Sequence, residues 1–166
     1  MNILFLHGLE SKLSTEKRTI LETYGNVIAP DLEYKTNTNI LQYLYDEFHN
    51  KSINVIIGSS MGGFIGYYLA NSLGLCSLLY NPALPYRNSV EQIIPSNLQI
   101  NESPLLRIVL GGHDEVIKAK DNLAFLAQNC AVNTDYTIVI KNNLAHQIPV
   151  DIFEDETAAF FDMLCY

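Results

Sequence analysis

Apolar, β-branched runs recur along the chain at Asn2 to Leu6, Val27 to Ala29, Ile53 to Ile57, Cys76 to Tyr80, Leu106 to Leu110 and Tyr136 to Ile140. They alternate little with polar residues, which is the pattern of strands covered on both faces. Most are separated by stretches of helical period. After Ser60, Met61, Phe64, Ile65, Tyr68 and Leu69 fall at i, i+3, i+4, i+7 and i+8 and form one apolar stripe. Further helices are predicted over Ser14 to Tyr24, closed by Gly25, over Thr38 to Phe48, over Ile117 to Gln128 and over Ile152 to Leu164; in the last, Asp151 and Glu154 have a capping-box-like spacing. Strand and helix in alternation predict one α/β domain over residues 1–166, with a doubly wound, mainly parallel sheet of about six strands.

Two features interrupt this rhythm. Gly62, Gly63 and Gly66 share the helix after Ser60. Each glycine costs a helix about 1 kcal/mol, so three together imply that backbone approaches backbone there. The stretch 81–104, NPALPYRNSVEQIIPSNLQINESP, holds four of the six prolines and only a short amphipathic piece around Val90 to Ile94. It is too long for a plain connection and reads as a lid-like excursion.

Composition narrows the function. At 48% hydrophobic and 17% charged residues, the chain is expected to form a real core. Its formal net charge of −8, with no cluster of Lys and Arg, argues against a nucleic-acid partner. The N-terminal apolar run is short and has no cationic lead, so it reads as a first strand rather than a signal peptide or membrane span. Cys76, Cys130 and Cys165 are odd in number and irregularly spaced, which fits a reducing, cytoplasmic compartment and three cysteines that fill apolar space. Neither a structural zinc site nor any other metal or cofactor is indicated.

Gly58-Ser59-Ser60-Met61-Gly62 matches GxSxG. Composition alone gives about 0.03 chance matches, and the strand before it and the helix after it are the setting in which the pattern works. Gly58 and Gly62 permit a strained turn that lifts the Ser60 hydroxyl above the sheet. Ser59 is flanked two residues away by Ile57 and Met61 and does not fit. The Met61 N–H opens the helix and is an oxyanion donor candidate. At the end of the first strand, His7-Gly8 forms a turn that can aim the Leu9 N–H at the same point, with His7 itself holding the turn.

A serine hydroxyl needs a base, and the base needs an orienting acid, in the chain order Ser, acid, His. Asp114 follows the fifth strand in GGHDEVI, and His146 follows the sixth in KNNLAHQIP. Both belong to the C-terminal edge of the sheet, where ligands gather in open α/β folds. His113 precedes the required order, Glu115 points away from its neighbour, Asp135 lies on the opposite edge, and His49 caps a helix.

Together LHGL, GSSMGG, NPALPY, HDEV and AHQI resemble the YqiA-type small esterases of the α/β-hydrolase superfamily over nearly the whole chain. The resemblance is strongest at GSSMGG, at the NPA segment and at Asp114-Glu115-Val116. It departs at His113, where that family has Gly, and at LAHQI, where the family has an NHAF-like loop. It implies hydrolysis of acyl esters or thioesters, with Ser60, Asp114 and His146 as the triad. Because the excursion leaves the strand next to Ser60, Leu84, Tyr86, Val90, Ile93 and Ile94 are expected to line a pocket for small to medium apolar acyl groups. An amidase or aminopeptidase using the same triad, or a non-catalytic binding protein that kept the fold, is the alternative reading.

Overall fold

The computed structural model describes residues 1–86, 90–98 and 102–164. Six strands form one parallel sheet: β1 (Asn2–Leu6), β2 (Asn26–Ile28), β3 (Val55–Ser59), β4 (Cys76–Tyr80), β5 (Leu105–Gly111) and β6 (Asp135–Lys141), in the order β2-β1-β3-β4-β5-β6. From β1 the chain moves outward to β2 and then crosses back to β3. The switch point between β1 and β3 opens a crevice at the C-terminal ends of the strands.

Strands β1, β3, β4 and β5 contribute alternate side chains to two cores. Leu4, Leu6, Ile56, Leu79, Ile108 and Leu110 face α2 (Ile40–Phe48), α3 (Met61–Leu73) and α4 (Ala119–Asn129). Ile3, Phe5, Val55, Ile57, Leu78, Tyr80 and Val109 face α1 (Thr15–Glu22) and α5 (Val150–Leu164). This double coverage accounts for the unbroken apolar runs in the sequence. No helix among the described residues is long and apolar enough to cross a membrane.

Several helix boundaries differ from the sequence reading, and side-chain hydrogen bonds explain most of the shifts. α2 starts at Ile40 because Asn37 Oδ1 accepts the Asn39 N–H and holds a turn before it. α4 starts at Ala119 because the Ile117 N–H is bonded to Asp114 Oδ1. α5 starts at Val150, with Pro149 accepting the Phe153 N–H, so Asp151 lies inside its first turn and is not a cap. Cys130 is exposed rather than buried, Cys76 is half-buried, and Cys165 lies outside the described residues.

Within the excursion, Leu84–Tyr86 form a single 3-10 turn and residues 90–94 are not helical. Their hydrogen bonds run sideways. Gln92 Nε2 donates to the carbonyls of Tyr34 and Asn37, and the Ile93 N–H donates to Thr38. Farther on, Ser103 is pinned to Asn71 and Leu75. Residues 87–89 and 99–101 of the excursion lie outside the described residues.

Candidate active site

The turn between β3 and α3 carries Ser60 at φ 55° and ψ −116°, a left-handed conformation that L-residues avoid. Such a residue costs about 1–3 kcal/mol, which the surrounding hydrogen bonds offset. The Ser60 N–H donates to the Tyr80 carbonyl, while its own carbonyl accepts from Phe64 and Ala83. A Cβ on Gly62 would lie 2.1 Å from the Leu6 carbonyl oxygen, and one on Gly58 would lie 2.4 Å from that of Gly62. Only glycine lets α3 press this closely on β1 and β3, as the glycine-rich helix implied.

Three strand ends then converge. His146 Nε2 lies 3.1 Å from Ser60 Oγ, and His146 Nδ1 lies 2.8 Å from Asp114 Oδ2. A carboxylate only accepts hydrogen bonds, so Nδ1 carries the proton and Nε2 is the acceptor facing the serine. The Asp114 side chain is fully buried, and its Oδ1 accepts the N–H groups of Val116 and Ile117, each at 2.8 Å. Glu115 is exposed, and so is His113, whose ring makes no hydrogen bond to any described residue.

His7 has both ring nitrogens engaged. Its Nδ1 faces the Gly8 carbonyl at 2.7 Å and its Nε2 accepts the Leu32 N–H at 2.9 Å, so it is tied into the turn and away from proton transfer. The buried Tyr34 hydroxyl donates to the His7 carbonyl. This turn abuts Ser60: a Cβ on Gly8 would sit 3.1 Å from Ser60 Cβ. The Met61 N–H, first in α3, has no intrahelical acceptor. Leu9, Ser60 and His146 line one cavity of about 480 Å³, whose remaining lining includes Phe5, Ser11, Lys17 and Ile148.

None of the five excursion residues expected to form an acyl wall lines this cavity. Leu84 is buried in the core against α3 and α4, Val90 and Ile94 pack on the same core, and Ile93 is exposed. Tyr86 donates its hydroxyl to Asp121 on α4. The excursion folds back over the α2–α3 side because its backbone bonds to the segment before α2, whereas the cavity opens on the β1 side of Ser60.

Sequence reasoning missed Asn81. It follows β4 at φ 41°, is almost fully buried, and its side chain accepts the Gly111 N–H at 2.6 Å while donating to the carbonyls of Ala145 and His146. One amide thus ties the end of β5, before Asp114, to the loop that carries His146. The available signal was an Asn directly after a strand and before Pro82, a residue type that tolerates positive φ.

The model of the uncharacterised protein family UPF0227 matches residues 2–103. The chain belongs to UPF0227. This is the YqiA-like family that the motifs resemble, and the part of UPF0227 matched here includes Ser60, whereas Asp114 and His146 lie beyond it. No match was found among curated protein sequences. Among solved structures, this UPF0227 member is similar to a Xanthomonas campestris protein assigned to the hydrolases of the α/β superfamily, at 20% identity over 99% of this chain and 98% of the other, with a TM-score of 0.67. It is also similar to a Paleococcus ferrophilus monoacylglycerol lipase (12% identity, 99% and 94% covered, TM-score 0.71) and to a Bacillus cereus carboxylesterase (15%, 96% and 87%, 0.64). These likenesses establish the α/β-hydrolase fold.

Proposed function

We propose that this UPF0227 protein is a carboxylic ester hydrolase, acting on esters or thioesters through an acyl-enzyme on Ser60. One observation carries the reading: Asp114, His146 and a strained Ser60 stand in a hydrogen-bonded row at the mouth of a cavity. Carboxylesterase and monoacylglycerol lipase, the names of two structures of the same fold, agree with it.

Ser60 Oγ attacks the ester carbonyl as its proton passes to His146 Nε2. The Met61 and Leu9 N–H groups receive the oxyanion, and buried Asp114 stabilises the imidazolium. The imidazolium returns the proton to the departing alcohol or thiol. Water then attacks the acyl-enzyme with His146 as base, releasing the acid and restoring Ser60. These steps require no metal or cofactor. Phe5, Leu9 and Ile148 offer apolar surface for a short acyl chain in place of the excursion residues.

Fluorophosphonate labelling tests the reading. The wild type should label at Ser60 and hydrolyse p-nitrophenyl butyrate, and Ser60→Ala should lose both while keeping its circular dichroism spectrum. A wild type that neither labels nor hydrolyses any ester or thioester would instead favour a binding protein.

A further inference from the structure

The cavity beside Ser60 contains a cation without a counter-charge. Lys17 lies in the first turn of α1, its backbone N–H accepted by the Ser14 hydroxyl that caps the helix. Its side chain runs over the Phe153 ring, with Nζ 5.3 Å from the centroid, and donates to the Ile148 carbonyl at 2.6 Å. An ammonium has three donors, and that bond uses one. The other lysine of this cavity, Lys12, is paired with Asp31, and the cavity's Glu10 is paired with Lys35. Asp114 is engaged by His146 and two backbone N–H groups. Among the described residues no carboxylate pairs with Lys17, in a chain whose formal net charge is −8.

A half-buried ammonium without a counter-charge is costly, and burial holds the Lys17 pKa below its ordinary value. The ammonium sits against the Phe153 ring and the Ile148 carbonyl, and Lys17 lines the same cavity as Ser60. The groups around it leave room for an anion: ammonium donors of Lys17 beyond the one used on Ile148, and an apolar wall that includes Phe5 and Ile148.

We propose that Lys17 reads an anionic group, a carboxylate or a phosphate-type oxyanion, on the substrate opened at Ser60, so that the enzyme prefers anionic esters to their neutral isosteres. The inference rests on the ester-hydrolase reading and adds the substrate class. Lys17 is here a specificity-determining residue, with no part in proton transfer.

The test compares kcat/KM for p-nitrophenyl hydrogen glutarate with that for its neutral methyl ester, and for 4-butanoyloxybenzoate with its methyl ester. The first pair puts the charge on the acyl side and the second on the leaving group. Wild type should favour the anionic member of at least one pair by about tenfold, the scale of one charge-assisted hydrogen bond. Lys17→Met should abolish that ratio, Lys17→Arg should retain most of it, and added salt should shrink it. A role confined to supporting Ile148 in the His146 loop would lower both members of a pair together and leave the ratio where it was, which would overturn the proposal. So would a wild type that prefers the neutral esters. If wild type turned over none of these esters, the hydrolase reading itself would fall, and calorimetric titration with glutarate would decide the site separately. Binding that is lost in Lys17→Met would support the anion site, and no binding to wild type would sink it.

Discussion

At the scale of single residues, the acid is the sharpest point of choice. Asp114 and Glu115 are adjacent carboxylates, yet Asp114 is buried against His146 and Glu115 points into solvent. In Asp114→Asn, the amide oxygen can keep the N–H groups of Val116 and Ile117, which turns the NH₂ toward the imidazole and favours the wrong tautomer. We expect kcat to fall by about four orders of magnitude, as it does for the same exchange in a serine protease triad. Glu115→Gln should stay within about twofold, and a reversed order in ester assays would reassign the acid. Ser60, Asp114 and His146 were legible in the sequence because GxSxG and chain order constrain them. Lys17 was not, because its meaning depends on an absent partner, and partners 19 to 131 residues away, as for Lys12 with Asp31 and Lys17 with Ile148, leave no local pattern.

Elements were legible where their periodicity was strong. β4 was read at its observed bounds and β5 to within one residue at either end, because their apolar runs are buried between two helical layers, and β6 was read as closely from its β-branched run although its residues are half-buried or exposed. Boundaries set by side-chain hydrogen bonds, such as the starts of α2 and α4, carried no hydrophobic signal. The excursion was misjudged for a related reason: adjacency in sequence to the nucleophile's neighbour strand does not say on which side of the sheet a segment lies. What joins elements at the site is Asn81, between the ends of β4, β5 and the loop after β6. Asn81→Ala leaves one N–H and two carbonyls without their partner and should cost about 1–3 kcal/mol in urea unfolding. It should also lower kcat more than it raises KM, since misplacing a catalytic group by about 1 Å can cost a hundredfold. Asn81→Gly relieves the positive φ but not the lost amide, so it should be somewhat more stable than Asn81→Ala without recovering kcat.

The whole molecule is closed by a buried charge cluster under α5. Arg107 on β5 and Lys141 on β6 both reach Glu156, at 2.6 and 2.7 Å. Burial by itself pushes the Glu156 carboxyl up, but hydrogen bonds and charge from Lys141 and Arg107 outweigh it and hold the pKa below the ordinary 4.5. A carboxyl lowered in the folded state contributes stability that is complete above its unfolded pKa and is lost as pH falls through the folded one. Glu156→Gln should therefore unfold more readily at neutral pH, by about 3 kcal/mol because Arg107 is left buried with no carboxylate, and should lose part of the wild type's acid sensitivity below about pH 4.5. Urea unfolding over that pH range checks both. Strand order also bears on how the candidate site is assembled. His146 lies 86 residues from the serine it faces and 32 from its acid, and its loop leaves the last strand of the sheet. Neighbouring strands here pair across long stretches of chain, as Ile3 does with Val55 and Leu105 with Asp135, so Ser60, Asp114 and His146 meet only once strands from both halves of the sheet are in place. In a partly folded chain Ser60 therefore stands without the imidazole and the carboxylate that it faces in the finished sheet.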